Sequence, residues 1–433
     1  MMTEAEGTIC NFDHRYSYLR KINKRTHMKT KKDAIRALAK EAALLPQEEL
    51  LAVGKKKRAL TIGIPKETSF QDKRVALVPE AVALLVSRGH EVIVEADAGK
   101  NANFDTKDYS EAGAQIVYSP EDVFKAQMIL KVAPPSFEEV KMMPGKQTLL
   151  SALQLTVQPV DSLKMLMDKK ISAVAWDYFK DGTGIYPVVR AMGEIAGNTS
   201  VLIAAEYLSN VNHGQGSMFG GISGVKPTEV VVLGAGTVGE IAARAALGLG
   251  ASVKVFDNQI YKLRRIQNDL GTRLWTSTIE PTTLKTALAQ ADVVIGALRE
   301  PFGRTPCVVT SEMVSDMKHG SVIVDISIDQ GGCFETSRVT NHDEPTFKEY
   351  GVIHYCVPNV ASRVSRTASY ALSNIFAPLL VSMGDNGGFT ETLKRNSGLC
   401  EGVYLYRGTL TNEIIGEAFK LPWKPIDLLI PAM

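Results

Sequence analysis

The sequence predicts an α/β protein of two domains, each a mostly parallel sheet with helices on both faces. Three observations lead there. Strand-length apolar runs alternate with amphipathic stretches from Leu60 onward, and a β-branched run enters a glycine-rich turn at residue 234. The length, 433 residues, exceeds that of an ordinary single domain.

In the first domain the runs 60–64, 91–95, 115–117, 128–132, 147–152 and 171–176 read as strands. Stretches 79–88, 120–126 and 160–167 read as the helices between them. Strands separated by helices imply a parallel sheet covered on both sides. The apolar segment 192–210 then carries the chain into the second domain. There EVVVL at 229–233 is continuous and β-branched, as expected of a strand buried on both faces, and 252–256, 293–297 and 321–326 follow as further strands. The pattern turns helical over 369–383, and the rest reads as an irregular return to the first domain. The expected organisation is an extension over 1–58, a substrate domain over 59–190, a nucleotide domain over 191–365, and a return over 366–433.

Composition bounds the function. The chain is 45% hydrophobic and 22% charged, normal for a globular protein. Residues 1–58 hold 14 Lys and Arg against 7 Asp and Glu, while the remainder holds 35 against 40. A mildly acidic body argues against nucleic acid as partner. Within the basic extension, Ile35, Leu38, Ala42 and Leu45 have helical spacing over 32–52 and Pro46 breaks it. This arm reads as a solvated extension that caps the body or packs in an oligomer, with a docking or targeting element as the alternative. Cysteines at 10, 307, 333, 356 and 400 form no CxxC pair, which indicates no metal site and a reducing compartment. No apolar run approaches the roughly 18 residues of a membrane helix, and no secretory signal is present, so a cytoplasmic protein is expected.

The glycine turn carries the chemistry. GAGTVG at 234–239 sits between a strand and a helix, and Asp257 closes the next strand 18 residues after Gly239. Gly234 permits the tight turn, Gly236 lets backbone approach a pyrophosphate, and Gly239 lets the helix pack on the strand. Thr237 and Val238 open the helix whose free N–H groups meet the phosphates. Asp257 suits the adenosine ribose hydroxyls and repels a 2′-phosphate, so NAD is expected rather than NADP. Lys262, Arg264 and Arg265 either offset that charge, with Lys262 the candidate cofactor contact, or form the exposed face of a helix. Both domains are therefore expected to be Rossmann-like, with a cleft between them.

Together these residues resemble the alanine dehydrogenase and NAD(P) transhydrogenase alpha-subunit family. The segments IGIPKE (62–67), KRVALVP (73–79), RGHEVIVEADAG (88–99), ILKV (129–132), GAGTVG (234–239), DISIDQGG (325–332) and HYCVPN (354–359) carry the match, which is closer to the dehydrogenase branch. The resemblance implies that Arg74 binds a substrate carboxylate, a task its planar fork suits. It implies that Asp329 lies beside nicotinamide and substrate, with Leu298 and Asn359 near the nicotinamide end. Asp325 lies in the strand itself and reads as a core residue. A homo-oligomer is expected on the same ground.

Two positions depart from the family. Its substrate-binding lysine, second in a KVKEP run, is replaced by Ala133, leaving Lys131 as the nearest cation. Its catalytic histidine, in a run like FLHL, is replaced by Gln154, which can hydrogen-bond but cannot exchange a proton near neutral pH. His90, His213 and His354 read as structural. Tyr186 and Asp177 are able to face the cleft, though nothing in the pattern forces it. The leading expectation is oxidative deamination of L-alanine to pyruvate and ammonium, with Arg74, Lys131, Gln154 and Asp329 as site residues. Another amino or oxo acid substrate, or a nucleotide-binding protein without acid–base chemistry, stay open.

Overall fold

The computed structural model describes residues 58–69, 72–155, 158–300 and 303–430. Lys56–Met433 form one compact unit. The helix expected over 32–52 lies outside the described residues.

Two sheets organise this unit. Strands β1 (Thr61–Ile64), β2 (Glu91–Glu95), β3 (Gln115–Val117), β4 (Met128–Leu130), β5 (Thr148–Ser151) and β6 (Ser172–Ala175) are mutually parallel where they pair. The second sheet holds β7 (Glu229–Leu233), β8 (Ser252–Phe256), β9 (Trp275–Ser277), β10 (Val293–Gly296), β11 (Val322–Asp325), β12 (Thr346–Glu349) and β13 (Val352–Tyr355), in the order β12-β13-β11-β10-β7-β8-β9. Only β12 runs antiparallel there. β14 (Val403–Tyr406) and β15 (Thr409–Leu410) come from the far end of the chain and extend the first sheet, whose order is β15-β14-β6-β5-β4-β1-β2-β3.

Alternate residues of each central strand serve opposite cores. Leu130, Leu150 and Val174 join one apolar cluster, and Ile129, Leu149 and Ala173 join another on the other face. In the second sheet Val230, Val232 and Ile295 face one core, while Val231, Leu233 and Val294 face the other. This two-residue alternation within runs buried throughout is why the strands read as continuous apolar stretches.

Two long helices, Pro187–Leu208 and Ser365–Asp385, carry the chain between the lobes. Gly197 on the first is required by packing, since a Cβ there would sit 2.6 Å from the Val238 carbonyl oxygen. The second presents Ser369 and Ser373 to the segment after β1. Their hydroxyls accept from Val75 N at 3.0 Å and Val78 N at 2.8 Å.

One expectation is corrected. The C-terminal stretch is not irregular: it contains helices Phe389–Leu393, Ser397–Glu401 and Glu413–Phe419 besides β14 and β15. These elements are two to seven residues long, too short to stabilise themselves or to show a period, and tertiary packing supports them. The edge strands β9 and β12 escaped prediction for the same reason.

Candidate active site

The glycine turn separates what packing demands from what a ligand demands. Gly234 has φ of +110°, a region closed to side chains, and a Cβ there would press on the Ala297 carbonyl. A Cβ on Gly239 would overlap the Gly234 carbonyl oxygen. Gly236 differs: its Cβ would meet nothing within 4 Å, so close packing of the protein does not require glycine there. That open space lies at the start of helix Thr237–Gly248, which has no side-chain cap, leaving its first N–H groups for an anion. Thr237 and Val238 open this helix and are half-buried.

Asp257 follows β8, is 5% exposed, and holds the turn. Its carboxylate accepts from Ala235 N at 2.8 Å and Gln259 N at 2.7 Å. Arg265 donates to the Ala235 carbonyl at 2.9 Å and faces Glu240 and Asp269. Arg264 is exposed and Lys262 half-buried, both on helix Ile260–Leu270. Leu298 is half-buried beyond β10, with its amide backing Gly234.

Arg74, Asp329 and Asn359 are brought together where the lobes meet. Arg74 Nε and Nη2 donate to the two oxygens of Asp72 at 2.9 and 2.6 Å, while Nη1 reaches Met192 Sδ at 3.4 Å. Burial opposes both charges, yet each outweighs it for the other: the Asp72 carboxyl is held below its usual range and the Arg74 pKa is raised. Asn359 has a left-handed backbone (φ +54°). It donates from its backbone to Asp329 Oδ1 at 2.9 Å and from Nδ2 to Asp72 Oδ2 at 3.3 Å. Asp329, in the turn Ile326–Gln330 after β11, is open to solvent but ringed by protein. Burial pushes its pKa up against the Asn359 amide and the charges of Arg74 and Arg299.

Lys131 adjoins this cluster through Glu67, whose charge acts on both Asp72 and Arg74. It is 1% exposed, and its Nζ lies 3.0 Å from both Glu67 and Glu139. Glu67 also accepts from the amides of Val132 at 2.6 Å and Ala133 at 3.2 Å. Gln154 is exposed in the loop after β5 with φ of +44°. Asp325 is the core residue expected, accepting from Ser327 N, Cys333 N and Ser337 Oγ. The histidines have local duties. His90 accepts from Leu60 N, and His354 is fully buried against Thr336 and Phe347. His213 ends a short turn.

Sequence reasoning missed Asp72, Glu67, Arg299 and the serines that pin the Arg74 segment. Ser365, Ser369 and Ser373, spaced four apart on one helix face, were the available signal.

Comparison with known proteins follows the same division. The alanine dehydrogenase/PNT N-terminal domain matches residues 63–196 and its C-terminal domain matches 200–413. The alanine dehydrogenase of Mycolicibacterium smegmatis is 40% identical over 365 residues, which is 84% of this chain and 98% of that protein. The chain belongs to the alanine dehydrogenase/PNT family. Within it, alanine dehydrogenase 2 of Staphylococcus aureus is 37% identical over 85% of this chain and 99% of its own. A solved L-alanine dehydrogenase superposes with a TM-score of 0.79 at 37% identity, covering 83% of this chain and 99% of that one. A transhydrogenase from Sinorhizobium meliloti shares the fold at 23% identity, with a TM-score of 0.70 over 82% of this chain and 99% of its own.

Proposed function

We propose that this chain is an NAD-dependent dehydrogenase that oxidatively deaminates L-alanine to pyruvate and ammonium. The observation that carries the reading is the chain of contacts Arg74–Asp72–Asn359–Asp329. It sets a cation able to grip a carboxylate and an open carboxylate on neighbouring faces of the two lobes. We assign the lobe of 59–190 and 366–433 to substrate and that of 191–365 to the nucleotide. The space at Gly236, the uncapped helix and the carboxylate of Asp257 fit a dinucleotide lacking a 2′-phosphate. NAD, when bound, supplies the hydride acceptor.

The protein's residues do the rest. Arg74 holds the substrate carboxylate, and Asp72 sets the direction of its guanidinium. Asp329 faces the amine-bearing carbon, and its position follows from the Asn359 amide. Leu298 and Asn359 border the nicotinamide end. Lys131 belongs to the frame: its charge is already matched by two carboxylates and it is fully buried, so we give it no contact with substrate. Gln154, exposed on its loop, offers hydrogen bonds only.

A second reading, another amino acid as substrate, is favoured by Ala133, which is buried and apolar where the family has a lysine. An amino-acid panel decides between them: reduced-cofactor absorbance rising with L-alanine above all others supports the first. In Asp329→Ala, turnover should fall by about 10²- to 10⁴-fold with NAD binding intact. Unchanged turnover would remove Asp329 from the mechanism. Exposed Leu202, Met218, Ile222 and Val225 support self-association, which light scattering measures. Free cysteines at 307, 333, 356 and 400 support a cytoplasmic location.

A further inference from the structure

One half-buried carboxylate in the substrate lobe, Asp177, takes no part in the contacts described above. Asp177 lies in the turn directly after β6, at the carboxyl edge of the first sheet. β6 is the parallel neighbour of β5, and Ser151 at the end of β5 pairs with Ala175. The loop bearing Gln154 and the turn bearing Asp177 therefore leave adjacent strands on one edge, about 4.8 Å apart at their roots. The Trp176 indole, donating to the Lys131 carbonyl at 3.1 Å, fixes where this turn begins.

Two further facts single Asp177 out. Its Oδ1 is buried without a hydrogen-bond partner among the described residues, a costly state for a carboxylate oxygen that an N–H or O–H donor would relieve. Arg299, beyond β10 in the other lobe, acts on its charge and also on that of Asp329. Asp177 thus faces the same interlobe cation as Asp329, from the opposite lobe. We infer that Asp177 is the general base that activates water in this chain, in place of the histidine replaced by Gln154. This rests on the dehydrogenase reading.

After hydride has left the substrate, a protonated imine remains. A water O–H bond breaks and its proton passes to Asp177 Oδ1. The new O–C bond forms at the imine carbon, and the C=N π pair moves to nitrogen. The proton then passes from Asp177 to that nitrogen, the C–N bond breaks, and the hydroxyl proton leaves with ammonia as ammonium. No electrons change hands in this step, and the carboxylate is regenerated. The electrostatics agree. Burial pushes the Asp177 carboxyl up to about 6, against its own backbone amide and the opposing pull of Arg299, while Tyr178 and Tyr404 lie near it without supplying a counter-charge. A base of that kind is ionised at neutral pH and is lost as the pH falls through about 6.

The test compares wild type and Asp177→Asn with L-alanine and NAD by stopped flow. Expected is a first turnover of reduced cofactor that survives, followed by a steady-state rate lower by about 10²- to 10⁴-fold. The acid limb of the wild-type rate profile should disappear and return, shifted, in Asp177→Glu. An unchanged steady state, or loss of the first turnover while NAD still binds by calorimetry, would overturn the inference. Should Asp177→Asn fail to bind NAD, Asp177→Glu alone decides, and an unshifted acid limb refutes it. A wild type inactive on every amino acid tested refutes the dehydrogenase reading and this inference with it; an active wild type with an indifferent Asp177→Asn refutes this inference alone.

Discussion

The nucleotide turn and the substrate edge are built on opposite principles. Around Gly234–Gly239 the constraint is absence of atoms: positive φ, a close carbonyl, an open space where a side chain would go. Around Lys131 and Arg74 the constraint is presence of charge. Glu67, Glu139 and Asp72 surround cations drawn from distant parts of the chain. A site defined by missing atoms tolerates little change in sequence. A site defined by charge balance can keep its balance while its chemistry is rewritten, as Ala133 and Gln154 illustrate.

That contrast can be broken deliberately. The largest effect is expected at Lys131→Met, which strands two buried carboxylates and should cost about 3–5 kcal/mol of stability in urea unfolding. Next, Gly239→Ala should cost about 1–3 kcal/mol through the clash with the Gly234 carbonyl. Gly236→Ala should leave stability unchanged yet weaken NAD binding by about tenfold or more, measured by calorimetry. If both variants behaved alike, the distinction between packing glycine and ligand glycine would fail.

A smaller effect separates the two charge sites by pH. Burial pushes the Asp72 carboxyl up, but Arg74 outweighs it and holds the folded-state pKa below the ordinary 3.8. Its contribution to stability is therefore complete above 3.8 and is lost as pH falls through the lower folded value. Asp72→Asn should lower stability above that acid range, where it leaves the buried Arg74 unpaired, and flatten the curve within it, as thermal melts across pH would show. The smallest change is at Gln154, whose left-handed backbone suits glycine. Gln154→Gly should stabilise the fold by roughly 0.5–1 kcal/mol while altering turnover.

Legibility follows the same line. EVVVL, the glycine spacing and Asp257 are local patterns, and the fold class and nucleotide turn were readable from them because strand, turn and helix adjoin in sequence. Arg74 and Asp329 were proposed from their motifs, and the fold sets both where the lobes meet. What joins them was not readable: Asn359 meets Asp72 across 287 positions, and Lys73 meets Ser362 across 289. Periodicity carries no information over such distances. The two carboxylates that flank Lys131 were not readable for the same reason, since they lie 64 and 8 residues away and nothing in KVAPP announces them.

Asn359 has one more consequence. Its amide is tied to the nucleotide lobe through Asp329, while its side chain is tied to the substrate lobe through Asp72. Any rotation of one lobe against the other must break the second of these bonds or drag the first. A ligand that favours one lobe angle therefore biases the pocket for the other ligand, and thermodynamic reciprocity makes that bias equal in both directions. Asn359, with the Lys73–Ser362 bond beside it, thus couples the two lobes mechanically, and a substitution that frees Asn359 from Asp72 is expected to loosen that coupling.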